Sequence, residues 1–113
     1  MKPTLKKRLL DALEACHAIQ NFVAGRAFAE YEQNLMMRSA VERQFEIVGE
    51  ALNQAEMDDP ELATLIPDIR RIVGLRNRII HGYDSVDDQL LWQTIHTHVP
   101  PLAQQLAQLL ASD

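Results

Sequence analysis

Arg76 and His81 stand five residues apart in the segment RNRIIHGYDSVD (76–87), with Asn77 directly after the arginine and Tyr83 two residues beyond the histidine. An arginine carries a permanent positive charge on a planar fork that fits phosphate oxygens. A histidine takes or gives a proton near neutral pH. Asn77 adds a hydrogen-bonding amide without charge. Together these side chains supply the parts of phosphodiester cleavage without a metal. One is a base for a ribose 2′-hydroxyl, and the other is a cation for the charge that builds around phosphorus.

The spacing sets their directions. At about 100° per residue over positions 69–81, Ile69, Ile72, Val73, Leu75, Ile79 and Ile80 fill one apolar arc, and Arg76 points into its middle. Asn77 and His81, four apart, lie side by side on the flank of that arc. Arg70 and Gly74 share the flank, while Arg71 and Arg78 point the opposite way. Gly74 leaves room there for a substrate or a second subunit. A guanidinium inside an apolar stripe is costly unless it is paired or faces a polar cavity. Glu46 or Glu50 of the preceding helix would satisfy it in a purely structural way. Gly82 is expected to turn the chain out of the helix in the left-handed conformation, which would bring Tyr83 close to His81.

Four elements must position these groups. Leu5, Leu9, Ala12, Cys16, Ile19 and Val23 step by three and four through a helix over 4–23, ended by Gly25. Val41, Phe45, Val48, Leu52 and Ala55 stripe a second helix over 31–57, and Met37, Ala40, Ile47 and Ala51 widen its face. Residues 61–65 suit one short helical turn after Asp58-Asp59-Pro60. The third long helix is expected from Ile66-Pro67 to His81, with proline at the first helical position. Ser85-x-x-Asp88 reads as a capping box for the fourth, which carries Leu91, Trp92, Ile95, Leu102, Leu106 and Leu109. Pro100-Pro101 should kink or divide it. No strand alternation or repeat is present. The expected fold is all-α, a single domain over 1–113 built as an antiparallel up-and-down bundle of four long helices plus a short one.

Bulk properties narrow the function. The formal charge of −5 argues against a general nucleic-acid coat. Yet Arg70, Arg71, Arg76 and Arg78 cluster with no acid between Asp68 and Asp84, and neither Lys nor Arg follows Arg78. That pattern implies a local anion site, with Arg70 and Arg78 as substrate-binding candidates. One cysteine excludes an internal disulfide and a multi-cysteine zinc site, so a reducing cytoplasm is the expected setting. Cys16 falls on an apolar stripe as a packing residue. His96 and His98, two apart, face different ways and do not suit a metal, and His17 has no partner in spacing. No cofactor or metal is expected. No apolar run reaches about 20 residues, so no membrane span is expected, and the basic start lacks the pattern of a signal peptide.

The run Arg76-Asn77-Arg78-Ile79-Ile80-His81-Gly82-Tyr83 resembles the R-x4-H-x-Y motif of HEPN-domain toxins of the HepT family. The likeness extends to VGEALNQ (48–54), IPDIRRIVGLRNRIIHGYDSVD (66–87) and a Trp-containing final helix. The resemblance implies a homodimeric, metal-independent ribonuclease whose two motifs meet at the dimer interface. Arg76 and His81 would be catalytic and Asn77 supporting. It also implies a minimal nucleotidyltransferase antitoxin of the MntA type as partner, which silences the toxin by placing AMP on Tyr83. Related HEPN proteins imply an alternative, a non-catalytic nucleotide- or substrate-binding subunit of a nucleotidyltransferase. A third reading is a structural bundle in which Arg76 pairs with an acid of the second helix.

Overall fold

The three-and-four spacing of the first segment produces α1 (Pro3–Val23), and all six residues of its stripe are buried. The computed structural model describes residues 1–113. Pro3 opens α1, where its missing N–H is not needed, and Gly25 follows at φ 72°, the one positive φ in the chain.

The second helix starts later than the expected residue 31, although its whole apolar stripe lies within it. α2 (Phe28–Glu32) and α3 (Leu35–Asp58) replace an unbroken run from Tyr31. Asn34 interrupts it by adopting extended backbone, and its Oδ1 accepts from the Met37 N–H at 2.9 Å. An Asn side chain that satisfies an orphan N–H competes well with continued helix.

After the short α4 (Leu62–Leu65), Ile66 leaves the helical region at φ −125° and ψ 86°, as the following proline favours. It is fully buried. The next helix, α5 (Ile69–His81), therefore starts two residues beyond Pro67, which sits in the turn rather than at the first helical position. A 3₁₀ turn (Tyr83–Ser85) leads to α6 (Asp88–Thr97) and α7 (Val99–Ala111). The expected Ser85 capping box is replaced by Asp87, whose Oδ1 accepts from the N–H groups of Gln89 (3.0 Å) and Leu90 (3.2 Å). The Ser85 hydroxyl donates to the Gly82 carbonyl instead, at 3.1 Å. The prolines divide the last helix as expected, with α7 beginning at Val99 and Pro100 in its first turn.

The all-α bundle thus stands, with its second element split at Asn34 and its fourth at His98. One core of 26 buried residues links the helices. α1 packs on α3 and α7, α3 on α5, and α6 on α7. Two ion pairs set the register of α5 on α3: Arg70 meets Glu56 at 3.0 Å and Arg76 meets Glu50 at 2.6 Å, so the helices are antiparallel. Trp92 fixes the start of α6 against α2. Its ring lies 5.2 Å from Tyr31 and 6.0 Å from Phe28, and Tyr31 is fully buried. No helix is long and apolar enough to cross a membrane.

Candidate active site

α5 places a charged residue within an apolar arc that is mostly buried. Ile69, Ile72, Leu75 and Ile79 are buried and Val73 half-buried, as the arc requires. Ile80, placed in the arc by the wheel, is 40% exposed in the last turn of the helix.

Arg76 enters the α3–α5 seam, and its side chain keeps 24% exposure. Its Nη2 donates to Glu50 Oε2 at 2.6 Å and its Nη1 to Asn77 Oδ1 at 2.9 Å. Its Nε–H is buried without an acceptor. Of the two acids that could have paired with Arg76, Glu46 is held by Arg43 at 3.2 Å. Gly49 makes the seam possible. A Cβ there would fall 2.8 Å from Arg76 Cγ and closer still to Arg76 Cβ. The absence of a side chain at 49 lets α5 sit low enough for Arg76 to reach Glu50.

His81 is the last residue of α5, exposed, with no hydrogen bond or ion pair inside the chain. Five residues of helix turn it about 140° away from Arg76. Within one subunit Arg76 bonds Glu50 and Asn77, and no hydrogen bond joins either Arg76 or Asn77 to His81. Gly82 corrects a further expectation. Its φ is −134°, not left-handed. Glycine is suited to this position for steric reasons, because a Cβ would meet Ser85 Oγ at 2.9 Å and the Arg78 carbonyl at 3.2 Å. Tyr83 projects from this corner at 84% exposure.

The remaining arginines gather on the other side of α5. Arg70, Arg71 and Arg78, with Gly74 between them, line an open cavity of about 530 Å³ whose other walls include Leu75 and Leu90. The wheel separated Arg71 and Arg78 from Arg70 and Gly74; in the fold they share one groove. A wheel gives direction about one axis, whereas the groove exists because α6 lies alongside.

The other singled-out residues have structural settings. His96 Nδ1 contacts the Trp92 carbonyl at 2.8 Å and its ring packs 4.5 Å from the indole. His98 Nδ1 lies 3.4 Å from Asp68. Cys16 is buried, and burial pushes its thiol up to about 12, so it stays protonated and unreactive. No three His, Cys, Asp or Glu side chains converge as metal ligands.

A family model described as ribonuclease HepT-like matches residues 12–109. The probable ribonuclease HepT of Thermococcus cleftensis is 32% identical over 109 residues, 96% of this chain and 98% of that protein. A candidate RNase of Methanocaldococcus jannaschii is 34% identical over 105 residues, covering 93% of this chain and 95% of the relative. Another, from Caldanaerobacter subterraneus subsp. tengcongensis, is 28% identical over 110 residues, 97% of each chain. No solved structure matches the chain.

Proposed function

The chain belongs to the HepT-like ribonuclease family, and from that premise we propose that it is a metal-independent endoribonuclease in which Arg76 and His81 do the chemistry. The observation that carries the reading is the exposed, unpartnered His81 imidazole at the end of the helix that also holds Arg76. His81 takes the proton of a ribose 2′-hydroxyl, whose oxygen bonds to phosphorus as the bond to the 5′-oxygen breaks. The leaving oxygen receives a proton from an imidazole, and Arg76 stabilises the charge on the pentacoordinate phosphorus. The products are a 2′,3′-cyclic phosphate and a 5′-hydroxyl.

In-line displacement needs a base on one side of phosphorus and an acid on the other. A homodimer with its twofold axis near the ends of the two α5 helices supplies two histidines and two arginines to one cleft. The divergence of Arg76 from His81 within one chain supports that arrangement, as do exposed Ile80 and Tyr83 at the same corner.

Purified protein incubated with mixed RNA in excess chelator is expected to yield fragments ending in 2′,3′-cyclic phosphate. RNA that stays intact in that assay, with nucleotide bound instead, would transfer the assignment to the non-catalytic binding subunit.

The same reading makes the chain the toxin of a cytoplasmic toxin–antitoxin pair, silenced by an MntA-type nucleotidyltransferase that transfers AMP to Tyr83. The supporting feature is a phenol presented at 84% exposure two residues from His81. Co-expression with such a partner is expected to add AMP mass to the peptide containing Tyr83. Tyr83→Phe protein should escape both the mass shift and the silencing. Unchanged modification in that variant excludes Tyr83 as the acceptor.

A further inference from the structure

We propose that the arginine groove between α5 and α6 is a binding site for the phosphate backbone of single-stranded RNA, leading the strand to His81. The inference rests on the ribonuclease reading and adds a second surface, on the side of α5 away from Arg76.

The groove has a direction. Its lining follows α5 from Arg70 and Arg71 through Gly74 to Arg78, three residues short of His81. Seven residues beyond Gly74, about 10 Å along the helix, His81 comes round to within about 20° of the glycine. A strand lying over Gly74 along α5 therefore arrives at the imidazole.

The charges within it are unequal. Arg70 is paired with Glu56 at 3.0 Å, and Arg71 has Asp68 at 3.7 Å. Arg78 has no carboxylate partner, so its guanidinium carries the uncompensated charge nearest His81. Gly74 gives a floor without a side chain, and nothing lies within 4 Å of where its Cβ would be. Backbone and sugar can approach the helix there, over the apolar surface of Leu75 and Leu90. The volume, about 530 Å³, lies in the range of ligand clefts. Thr94, on the opposite wall, has its hydroxyl committed to the Leu90 carbonyl at 2.7 Å. Recognition thus falls to arginine and phosphate, which is indifferent to base sequence.

The test uses the full-length His81→Ala protein, so that RNA is bound without being cut, and a short fluorescent oligouridylate read by anisotropy across a salt series. Adding Arg78→Gln is expected to weaken binding roughly threefold to tenfold at low salt and to flatten the salt slope by about 0.7, one phosphate contact on a single strand. Gly74→Glu, whose Cβ would meet nothing within 4 Å and which adds a carboxylate beside the groove's arginines, should weaken it by about tenfold or more. Arg26→Gln, at a surface arginine paired with Glu30, should keep the parent slope. Uridine monophosphate should compete only in about 100-fold excess or more, because a strand engages several phosphates at once. Parent-like binding by both Arg78→Gln and Gly74→Glu overturns the groove. Equal flattening by Arg26→Gln overturns it too, by making the attraction general. Efficient competition by the mononucleotide would replace the strand site with a nucleotide pocket. These outcomes are separable from the chemistry: if wild-type protein cuts nothing while the groove behaves as stated, only the cleavage reading fails.

Discussion

His81→Ala protein should lose RNA cleavage by about 100- to 10,000-fold, the usual contribution of a positioned general acid–base group, with helical content and Tm unchanged. The stability half follows from the structure, because the imidazole is exposed and bonded to nothing in the chain. Arg76→Met is the companion variant. It removes the bonds to Glu50 at 2.6 Å and to Asn77 at 2.9 Å but keeps an unbranched stem over Gly49. Glu50 is 46% exposed and water can take the place of its partner. A pair so open to solvent contributes about 1 kcal/mol or less, a few degrees of Tm in a domain of this size. Activity should fall by about 100- to 1,000-fold, as when one donor to a developing oxyanion is lost. Rates and melting curves measured on the same preparations separate the two roles. Full cleavage by His81→Ala sinks the mechanism. An Arg76→Met chain that fails to fold while Glu50→Gln folds and cuts normally shows that Arg76 serves the bundle alone.

How much of this was legible beforehand depended on whether a residue's role is written in its own helix. The stripe from Leu5 to Val23 encodes burial directly, because a 3.6-residue period leaves one face dry, and every member is in the core. Arg76 was conspicuous for the same reason, a charge inside an arc that ought to be apolar. Its partner was undetermined between Glu46 and Glu50, since that choice is a matter of register between two helices. The pair Arg70–Glu56 and the commitment of Glu46 to Arg43 select Glu50. Asn34 and Asp87 show a different limit. Several polar residues near a helix end compete to cap it, and the backbone outside the helix decides among them. The groove was least legible of all, because half of it belongs to α6, and no feature of α5 reveals which neighbour lies across from Arg78.

Gly49 had no signal of its own, and its substitution is expected to have the largest effect on the shape of the site. Two terms oppose each other in Gly49→Ala. Alanine within a helix gains up to about 1 kcal/mol over glycine. Against that, the new methyl would stand 2.8 Å from Arg76 Cγ, nearer still to Arg76 Cβ, and 3.4 Å from the Ile72 carbonyl. Cβ and carbonyl are fixed to the backbone and cannot swing aside as a side-chain tip would, so α5 itself must move. Overpacking of this kind costs about 1–3 kcal/mol, and the clash outweighs the gain in helix propensity. The displacement acts at Arg76, the guanidinium proposed for catalysis, where an error of about 1 Å can lower a rate 100-fold. Gly49→Ala should therefore melt several degrees lower and lose activity out of proportion, even when assayed well below its Tm. Gly49→Val, larger and β-branched, should be worse on both counts. Gly74→Ala is the internal comparison for stability: on the same pair of helices but in open space, it should raise Tm. A Gly49→Ala protein that melts higher than wild type and cuts RNA at the wild-type rate would mean that the α3–α5 seam yields freely and that Arg76 does not depend on it.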